Sequence, residues 1–162
     1  MNCNVKVVLF TFLALVIALS LSACSSGPSG PEIVVEDIWA RQSPMAATNG
    51  AAYMIIKNKG KETDALIGAK ADISKVIELH ETVIDENGVM HMNPVEGQRL
   101  EIPAGGEVVM KPGGLHVMFM GLNQQLKPDD TIHLVLVFEK SGEKTFDVKV
   151  RAMDGMGGNN TK

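Results

Sequence analysis

Between Ile33 and Val150, short apolar and β-branched segments alternate with turn residues, and no segment shows a sustained helical apolar period. Segments of this length, separated by glycine, proline and asparagine, are typical of antiparallel β-sandwiches and barrels. The sequence therefore predicts an all-β domain built as an antiparallel sandwich or barrel. The predicted strands are Ile33–Ala40, Ala51–Asn58, Asp64–Ala71, Val76–Thr82, Val89–Asn93, Glu107–Met110, His116–Gly121, Thr131–Phe138 and Phe146–Val150.

Two connections between these strands have more specific predictions. The segment Val83–Val89 is expected to form a hairpin with Asn87-Gly88 as its turn, because this dipeptide favours the tight turns that join antiparallel strands. A helical turn is expected near Met45–Asn49.

The amino terminus has the organisation of a lipoprotein signal peptide. Lys6 precedes an apolar run over Val7–Leu21, which is short for a membrane span, and the run ends in Leu21-Ser22-Ala23-Cys24. We expect cleavage before Cys24 and lipidation of its thiol; a secretory signal with an incidental cysteine is the alternative. The predicted organisation is a signal peptide at 1–23, a lipidated cysteine and linker at 24–31, a folded domain at 32–151 and a flexible tail at 152–162.

The cysteine count and the charge exclude several kinds of function. Cys3 is lost with the signal and Cys24 carries lipid, so the folded domain has no disulfide, thiolate metal site or cysteine nucleophile. The net charge is −4 without a basic patch, so nucleic acid is not an expected partner. We expect an exported monomer, held to the envelope membrane by lipid and facing the periplasm or the cell exterior.

Histidine and methionine are the residues most able to carry chemistry. The sequence has four histidines and ten methionines, one of them Met1. Because alternate residues of a strand share a face, His116, Met118 and Met120 should point one way. Met90 and Met92 should likewise share a face, with His91 opposite. His80 lies near the end of the predicted strand Val76–Thr82.

This donor set is typical of a copper(I) site. Thioether sulfur is soft and suits Cu(I), whereas Mg²⁺ and Ca²⁺ prefer oxygen ligands. A blue-copper electron carrier needs a cysteine ligand, which is absent from the folded domain, so we expect an ion held here to be carried and not used for redox work. An isolated methionine on a strand usually fills the core. We interpret Met45 and Met54 as packing residues and His133 as a hydrogen-bonded polar residue.

Several motifs together resemble the periplasmic PCu(A)C copper chaperone family over nearly all of Ile33–Arg151. The motifs are Ala40-Arg41, Ala51-Ala52-Tyr53, Ile56-Lys57-Asn58, Glu78-Leu79-His80-Glu81-Thr82, Asn87-Gly88-Val89-Met90-His91-Met92, Pro94-Val95, Leu100–Gly106, Lys111–Leu122 and Phe138-Glu139-Lys140-Ser141-Gly142. The family pattern is a His, a Met twelve residues on and a later HxM.

The resemblance implies that His80, Met92, His116 and Met118 hold copper, with Met90 and Met120 as additional candidates. Glu81 stands where the pattern often has methionine. The gap between Met92 and His116 is also slightly longer, around Gly97-Gln98-Arg99, which is expected to be a turn without effect on the site.

The resemblance also implies a cupredoxin-like sandwich that delivers Cu(I) towards the Cu(A) centre of cytochrome c oxidase, often with a Sco-type thiol protein. Two alternatives stay open: a copper-buffering or resistance lipoprotein, and a metal-free envelope domain that binds protein or cell wall. An enzyme is not expected, because the sequence has no HExxH, no recognisable Ser-His-Asp arrangement and no phosphate loop. We expect the metal site on strand ends, exposed at one end of the sandwich.

Overall fold

The computed structural model describes residues 29–152. The predicted signal peptide, Cys24, most of the linker and the tail from Met153 lie outside the described residues. Within these residues, ten strands and one short 3-10 helix, Glu96–Gln98, follow one another. The strands are β1 Ile33–Arg41, β2 Asn49–Asn58, β3 Asp64–Lys70, β4 Ser74–Ile84, β5 Met90–Pro94, β6 Leu100–Ile102, β7 Glu107–Met110, β8 His116–Leu122, β9 Thr131–Phe138 and β10 Gly142–Arg151.

The strands form two halves, which β1 joins by pairing with β2 on one side and with β10 on the other. Along the sheet the order is β5-β4-β8-β2-β1-β10-β9-β3-β6. The first part of β2 pairs with β8 and its second part pairs with β7, so that one long strand supports both. We call β5, β4, β8, β2 and β7 the first half, and β10, β9, β3 and β6 the second half.

Strand β1 passes between the two halves by means of a bulge. Its register with β2 shifts between Glu36 and Trp39, and Asp37 there has a φ of 45°. Bulges bend a strand and increase its twist. Beyond the bulge, Trp39–Arg41 also pairs with β10, and this pair is parallel. It is an exception to the predicted antiparallel arrangement; the other strand pairs of the described residues are antiparallel.

The core lies between the two halves. Leu79, Val117 and Phe119 from the first half are fully buried, in one cluster with Leu134 and Leu136 from the second half. Burying a side chain of this size stabilises the fold by roughly 1.5–3 kcal/mol. The predicted alternation in His116–Gly121 is confirmed, since Val117 and Phe119 face the core. The flanking even-numbered residues therefore point outward.

The structure departs from the predicted strands in a few places. Strand β6 was not predicted because it has only three residues, but it pairs with β3. Strand β4 runs on to Ile84. No helix forms over Met45–Asn49. Met45 and Ala46 form a turn, closed by the Ala47 amide donating to the Pro44 carbonyl, and Asn49 already begins β2.

The two methionines interpreted as packing residues behave differently. Met54 is 1% exposed, as predicted, whereas Met45 is 83% exposed and the prediction for it is wrong. Met54 lies within β2 and faces the core, but Met45 sits in the turn of the β1–β2 connection, where the chain has no layer to pack against.

The hairpin of β4 and β5 is confirmed, with a different turn. Gly88 donates its amide to the Asp85 carbonyl, so Glu86 and Asn87 are the central residues. Gly88 then adopts a φ of 79°, which glycine tolerates without steric cost. The Asp85 carboxylate also accepts the amides of Asn87 and Val89. This turn fixes the register that places Met92 opposite Thr82.

Candidate metal centre

His80 and His116 lie directly opposite each other on neighbouring strands. They are register partners in the antiparallel pair of β4 and β8, and their ring centroids are 5.9 Å apart. Both side chains are on the outward face of the first half, because their neighbours Leu79 and Val117 face the core. Both are nevertheless buried, at 8% and 3% exposure.

The loop before β8 sets the orientation of the His116 ring. His116 Nδ1 lies 2.9 Å from the Gly114 carbonyl oxygen, so Nδ1 carries the proton that is donated. The preceding Gly113 has a φ of 75°, which allows the tight turn. His116 Nε2 then holds a lone pair, is buried, and has no hydrogen-bond partner among the described residues. Burial lowers the pKa of His116, with the positive charge of a protonated His80 adding to this, although the Gly114 hydrogen bond opposes it.

His80 has the complementary arrangement. Its Nε2 lies 2.9 Å from Oε2 of Glu78, two residues earlier on the same face of β4. The other ring nitrogen, Nδ1, is buried and has no partner within residues 29–152. Buried polar atoms are rarely left without a partner, so two such nitrogens on adjacent histidines require an explanation.

Methionines surround this histidine pair on the outward face. Met118 is the register partner of Glu78 on β4 and of Ala51 on β2, and Met92 is the partner of Thr82. Met90, Met92, His116 and Met118 all line one cavity of about 370 Å³. His80 is not among the lining residues, but it is the register partner of His116, which is.

Met120 is placed less favourably than Met118. It is the register partner of Asn49 and Val76, four residues along β8 from His116. Four residues of a strand span about 13 Å, which is too far for both side chains to bind one ion directly. Of the two additional candidates, the structure brings Met90 to the cavity and leaves Met120 apart.

Two connections cover the site. Gln42 and Pro44 from the β1–β2 connection and Pro112 and Gly113 from the β7–β8 connection line the cavity. The cavity lies towards the end of the sandwich where β1 ends and β8 begins, but on the outward face of the sheet. The expectation of a site on exposed strand tips is therefore only partly met, because the histidines are buried and only the methionines of β5 are exposed, Met90 at 67% and Met92 at 60%.

The other two histidines are satisfied at the surface. His91 Nε2 lies 2.9 Å from the Asp85 carboxylate, and His133 Nδ1 lies 2.6 Å from that of Asp147. The interpretation of His133 as a hydrogen-bonded polar residue is confirmed. Within residues 29–152, no three side chains of His, Cys, Asp and Glu gather in a way that could hold a metal ion.

Comparison with known proteins places this chain in a family. The family model described as "Putative lipoprotein LpqE-like" matches residues 33–150, which is most of the chain. The chain belongs to the LpqE-like family. A relative of this LpqE-like chain, "Putative lipoprotein Lxx21020" of Leifsonia xyli subsp. xyli (strain CTCB07), is 29% identical over 152 residues, covering 94% of this chain and 89% of the relative.

Solved structures similar to this LpqE-like chain include PCuAC domains. The copper-bound PCuAC domain from PmoF2 has a TM-score of 0.60 and 28% identity, covering 74% of this chain and 92% of that one. The solution structure of CuI-DR1885 from Deinococcus radiodurans has a TM-score of 0.54 and 26% identity, covering 86% and 87%. These matches confirm the cupredoxin-like, PCuAC-type fold. The two lipoprotein matches support the prediction of an exported lipoprotein, and no helix within residues 29–152 is long and apolar enough to span a membrane.

Sequence reasoning missed several residues around the site of this LpqE-like chain. Glu78 contacts His80, and Tyr53 and Arg41 line the cavity, yet none of them was a candidate. Strand alternation would have found Glu78, which is two residues before His80. It would also have placed Tyr53 on the face of Ala51. The cavity position of Arg41 depends on the β1 bulge and had no local signal.

Proposed function

We propose that this chain is an extracytoplasmic copper chaperone that binds one Cu(I) through His80, Met92, His116 and Met118 and passes it to an acceptor protein. The observation that carries the proposal is a pair of buried nitrogens, His80 Nδ1 and His116 Nε2, which have no hydrogen-bond partner within residues 29–152. They lie on facing strands, and His116 lines a cavity that is also lined by methionines. The protein acts by transfer and not by catalysis.

A bound metal ion accounts for the two nitrogens. A buried polar atom without a partner destabilises the fold by about 1–3 kcal/mol, so leaving two side by side is costly unless something binds them. In metal sites the second nitrogen of a ligating histidine usually donates to a carboxylate or carbonyl, which fixes the ring. Glu78 and Gly114 occupy those positions for His80 and His116.

The donor set favours the reduced copper ion. Two neutral imidazoles and two thioethers make a soft, uncharged set, which suits Cu(I) better than Zn²⁺ or a hard divalent ion. Burial lowers the pKa of His116 and so favours the neutral ring, whose lone pair can bind a metal ion. Similarity to a copper-bound PCuAC domain and to CuI-DR1885 supports this choice of metal.

The methionines of β5 provide a route for release. Strand β5 is at the edge of the sheet, and Met90 and Met92 are exposed while the histidines are buried. An acceptor can therefore displace the thioether of Met92 first, while His80 and His116 still hold the ion. Met90 can hold the ion transiently during this exchange, because it lines the same cavity.

The site of action follows from the lipid anchor. A lipid on Cys24 would hold the domain at the envelope membrane, facing the periplasm or the cell exterior, near membrane-bound acceptors. The Cu(A) subunit of cytochrome c oxidase, directly or through a Sco-type protein, is the acceptor we propose. Similarity to copper-binding PCuAC domains supports the metal and not the acceptor, which therefore needs its own test.

Binding is tested by titrating the purified domain with Cu(I) in the presence of a competing chelator. We expect one Cu(I) per chain and much weaker binding of Zn²⁺. Zinc bound as tightly as copper would contradict the proposed donor set, and a protein that takes up no Cu(I) would favour the metal-free envelope domain.

Delivery is tested by deleting the gene at low copper. We expect lower activity of the Cu(A)-containing oxidase, restored by added copper or by the wild-type gene. Normal oxidase activity combined with copper sensitivity would replace delivery by copper buffering.

A further inference from the structure

We propose that Glu78 is a positioning residue of the metal site, which directs Nδ1 of His80 towards the ion and offsets the ion's charge. The inference rests on the proposed function and extends it to a residue outside the four-ligand pattern. Its basis is the 2.9 Å contact between Glu78 Oε2 and His80 Nε2, together with the buried, unpartnered Nδ1 of the same ring.

The carboxylate fixes which nitrogen of His80 is free. A carboxylate accepts hydrogen bonds, so Glu78 holds the proton of the neutral ring on Nε2 and leaves the lone pair on Nδ1. His116 has the opposite tautomer, since Gly114 accepts from its Nδ1 and leaves Nε2 free. The two histidines therefore bind the ion through different ring nitrogens.

The other histidine–carboxylate contacts of the described chain lack this combination. His91 contacts Asp85 and His133 contacts Asp147, but His91 is 52% exposed and His133 is 76% exposed at the side chain. The His80 side chain is 10% exposed, and it alone among the three faces a second histidine across the sheet. A hydrogen bond to a carboxylate orients a ring most effectively where water does not compete for the ring nitrogens.

Glu78 also supplies a charge that the ligands lack. Two imidazoles and two thioethers are neutral, so a bound Cu(I) would leave one positive charge in a mostly buried place, and Arg41 on the cavity wall adds another. Glu78 is the register partner of Met118, which puts its carboxylate on the same face as the ligands. Because Glu78 accepts a hydrogen bond from a ligand ring, its negative charge stabilises the loaded form relative to the empty form.

The test compares Glu78→Gln and Glu78→Leu with Glu81→Gln, a nearby exposed carboxylate of β4 that alternates to the other face. Loss of a partner that orients a metal ligand typically weakens metal binding by about 10–100-fold. We expect Cu(I) affinity to fall within that range for Glu78→Leu, to fall less for Glu78→Gln, whose amide oxygen still accepts, and to stay unchanged for Glu81→Gln.

A second measurement reports on the metal-free protein. Nitrogen-15 NMR should find His80 as a single tautomer with the proton on Nε2, becoming a mixture in Glu78→Leu while the thermal midpoint changes little. A His80 ring that keeps one tautomer and full Cu(I) affinity in both Glu78 variants would overturn the proposal. If wild type shows the Nε2–H tautomer but takes up no Cu(I), the proposed function fails and the tautomer assignment stands.

Discussion

The two halves of the domain each place a histidine in a cross-strand pair, with opposite outcomes. In the second half, His133 on β9 is the register partner of Asp147 on β10, and the exposed pair forms a hydrogen bond. In the first half, His80 on β4 is the partner of His116 on β8, and each buried ring has one nitrogen without a hydrogen-bond partner among residues 29–152. The same strand geometry therefore produces an exposed hydrogen bond in the second half and, within the described residues, two buried nitrogens without a hydrogen-bond partner in the first half.

Several exposed ion pairs lie on the strands of the second half and on the connections next to them. Lys70 on β3 contacts Glu143 on β10. Arg99 contacts Glu139, and Lys140 contacts Glu62. Such exposed pairs contribute about 0–1 kcal/mol each and do not define a site. The first half differs in that the β1–β2 and β7–β8 connections line the cavity beside its histidines. We infer that these connections shield the ring nitrogens of His80 and His116 from water.

Removing a ligand from the buried pair should have the largest effect. We expect His116→Ala to weaken Cu(I) binding by at least about a hundredfold, equivalent to about 2.7 kcal/mol, because it leaves His80 without a second imidazole. His133→Ala, the matched change in the second half, should leave Cu(I) affinity at the wild-type value. The measurement is competition with a Cu(I) chelator. Equal losses in the two variants would remove the distinction between the halves.

The next effect concerns the thioethers of β8. We expect Met118→Leu to weaken Cu(I) binding by about tenfold or more, since the sulfur is lost while the volume is nearly kept, at a packing cost under about 1.5 kcal/mol. Met120→Leu on the same face and Met54→Leu in the core are the controls, and both should bind copper like wild type. Measuring thermal unfolding alongside Cu(I) binding separates the loss of a ligand from a loss of stability. A wild-type Cu(I) affinity for Met118→Leu would mean that Met118 is only a packing residue.

A stability change should appear in the second half without a change in copper binding. Asp64 is fully buried and its carboxylate accepts the amides of Ala65, Lys140 and Ser141. We expect Asp64→Asn to lower the free energy of unfolding by about 1–3 kcal/mol at neutral pH, since a charged acceptor is lost, while Cu(I) affinity stays the same. Denaturant unfolding measures the first quantity and chelator competition the second.

The pH dependence of this loss has a definite sign. Burial alone would raise the pKa of Asp64, but the hydrogen bonds from Ser141, Lys140 and Ala65 outweigh it and lower the pKa below the ordinary value of 3.8. A carboxyl whose pKa is lower in the folded state contributes stability above its unfolded pKa and loses it as the pH falls through the folded value. Wild type should therefore lose stability below about pH 3.8 more steeply than Asp64→Asn. If the free energy of unfolding fell equally steeply with pH in wild type and in Asp64→Asn, this role of Asp64 would be contradicted.

Most strands were predictable from the sequence, because a strand with one buried face alternates between inward apolar residues and outward residues. His116–Leu122 shows this directly, with Val117 and Phe119 inward and His116 and Met118 outward. What could not be predicted is long-range register. Nothing local to His80 or His116 indicates that they are partners, and the parallel pairing of β1 with β10 depends on a bulge at Asp37.

Exposure of the methionines was equally beyond local patterns. Met54 and Met45 are both apolar, and only the tertiary fold decides that one fills the core and the other lies in an exposed turn. The burial of His80 and His116 is another such case, because the covering loops come from other parts of the chain. The types of ligand could therefore be predicted from the sequence. The burial of the histidines could not, because it depends on contacts between distant segments of the chain.

The smallest effect on copper binding is expected at Cys24, the proposed lipidation site, although its effect on location should be complete. The described chain enters β1 at Ile33, which pairs with Asn58, and β1 ends at Arg41 on the cavity wall. Eight steps of a strand cover about 26 Å, so the tether joins the domain at the end away from the cavity. Cys24→Ser should move the protein from the membrane fraction to the soluble fraction and leave Cu(I) affinity at the wild-type value. Copper binding lost together with the lipid would mean that the amino terminus contributes to the site, and the first half would then not hold the ion by itself.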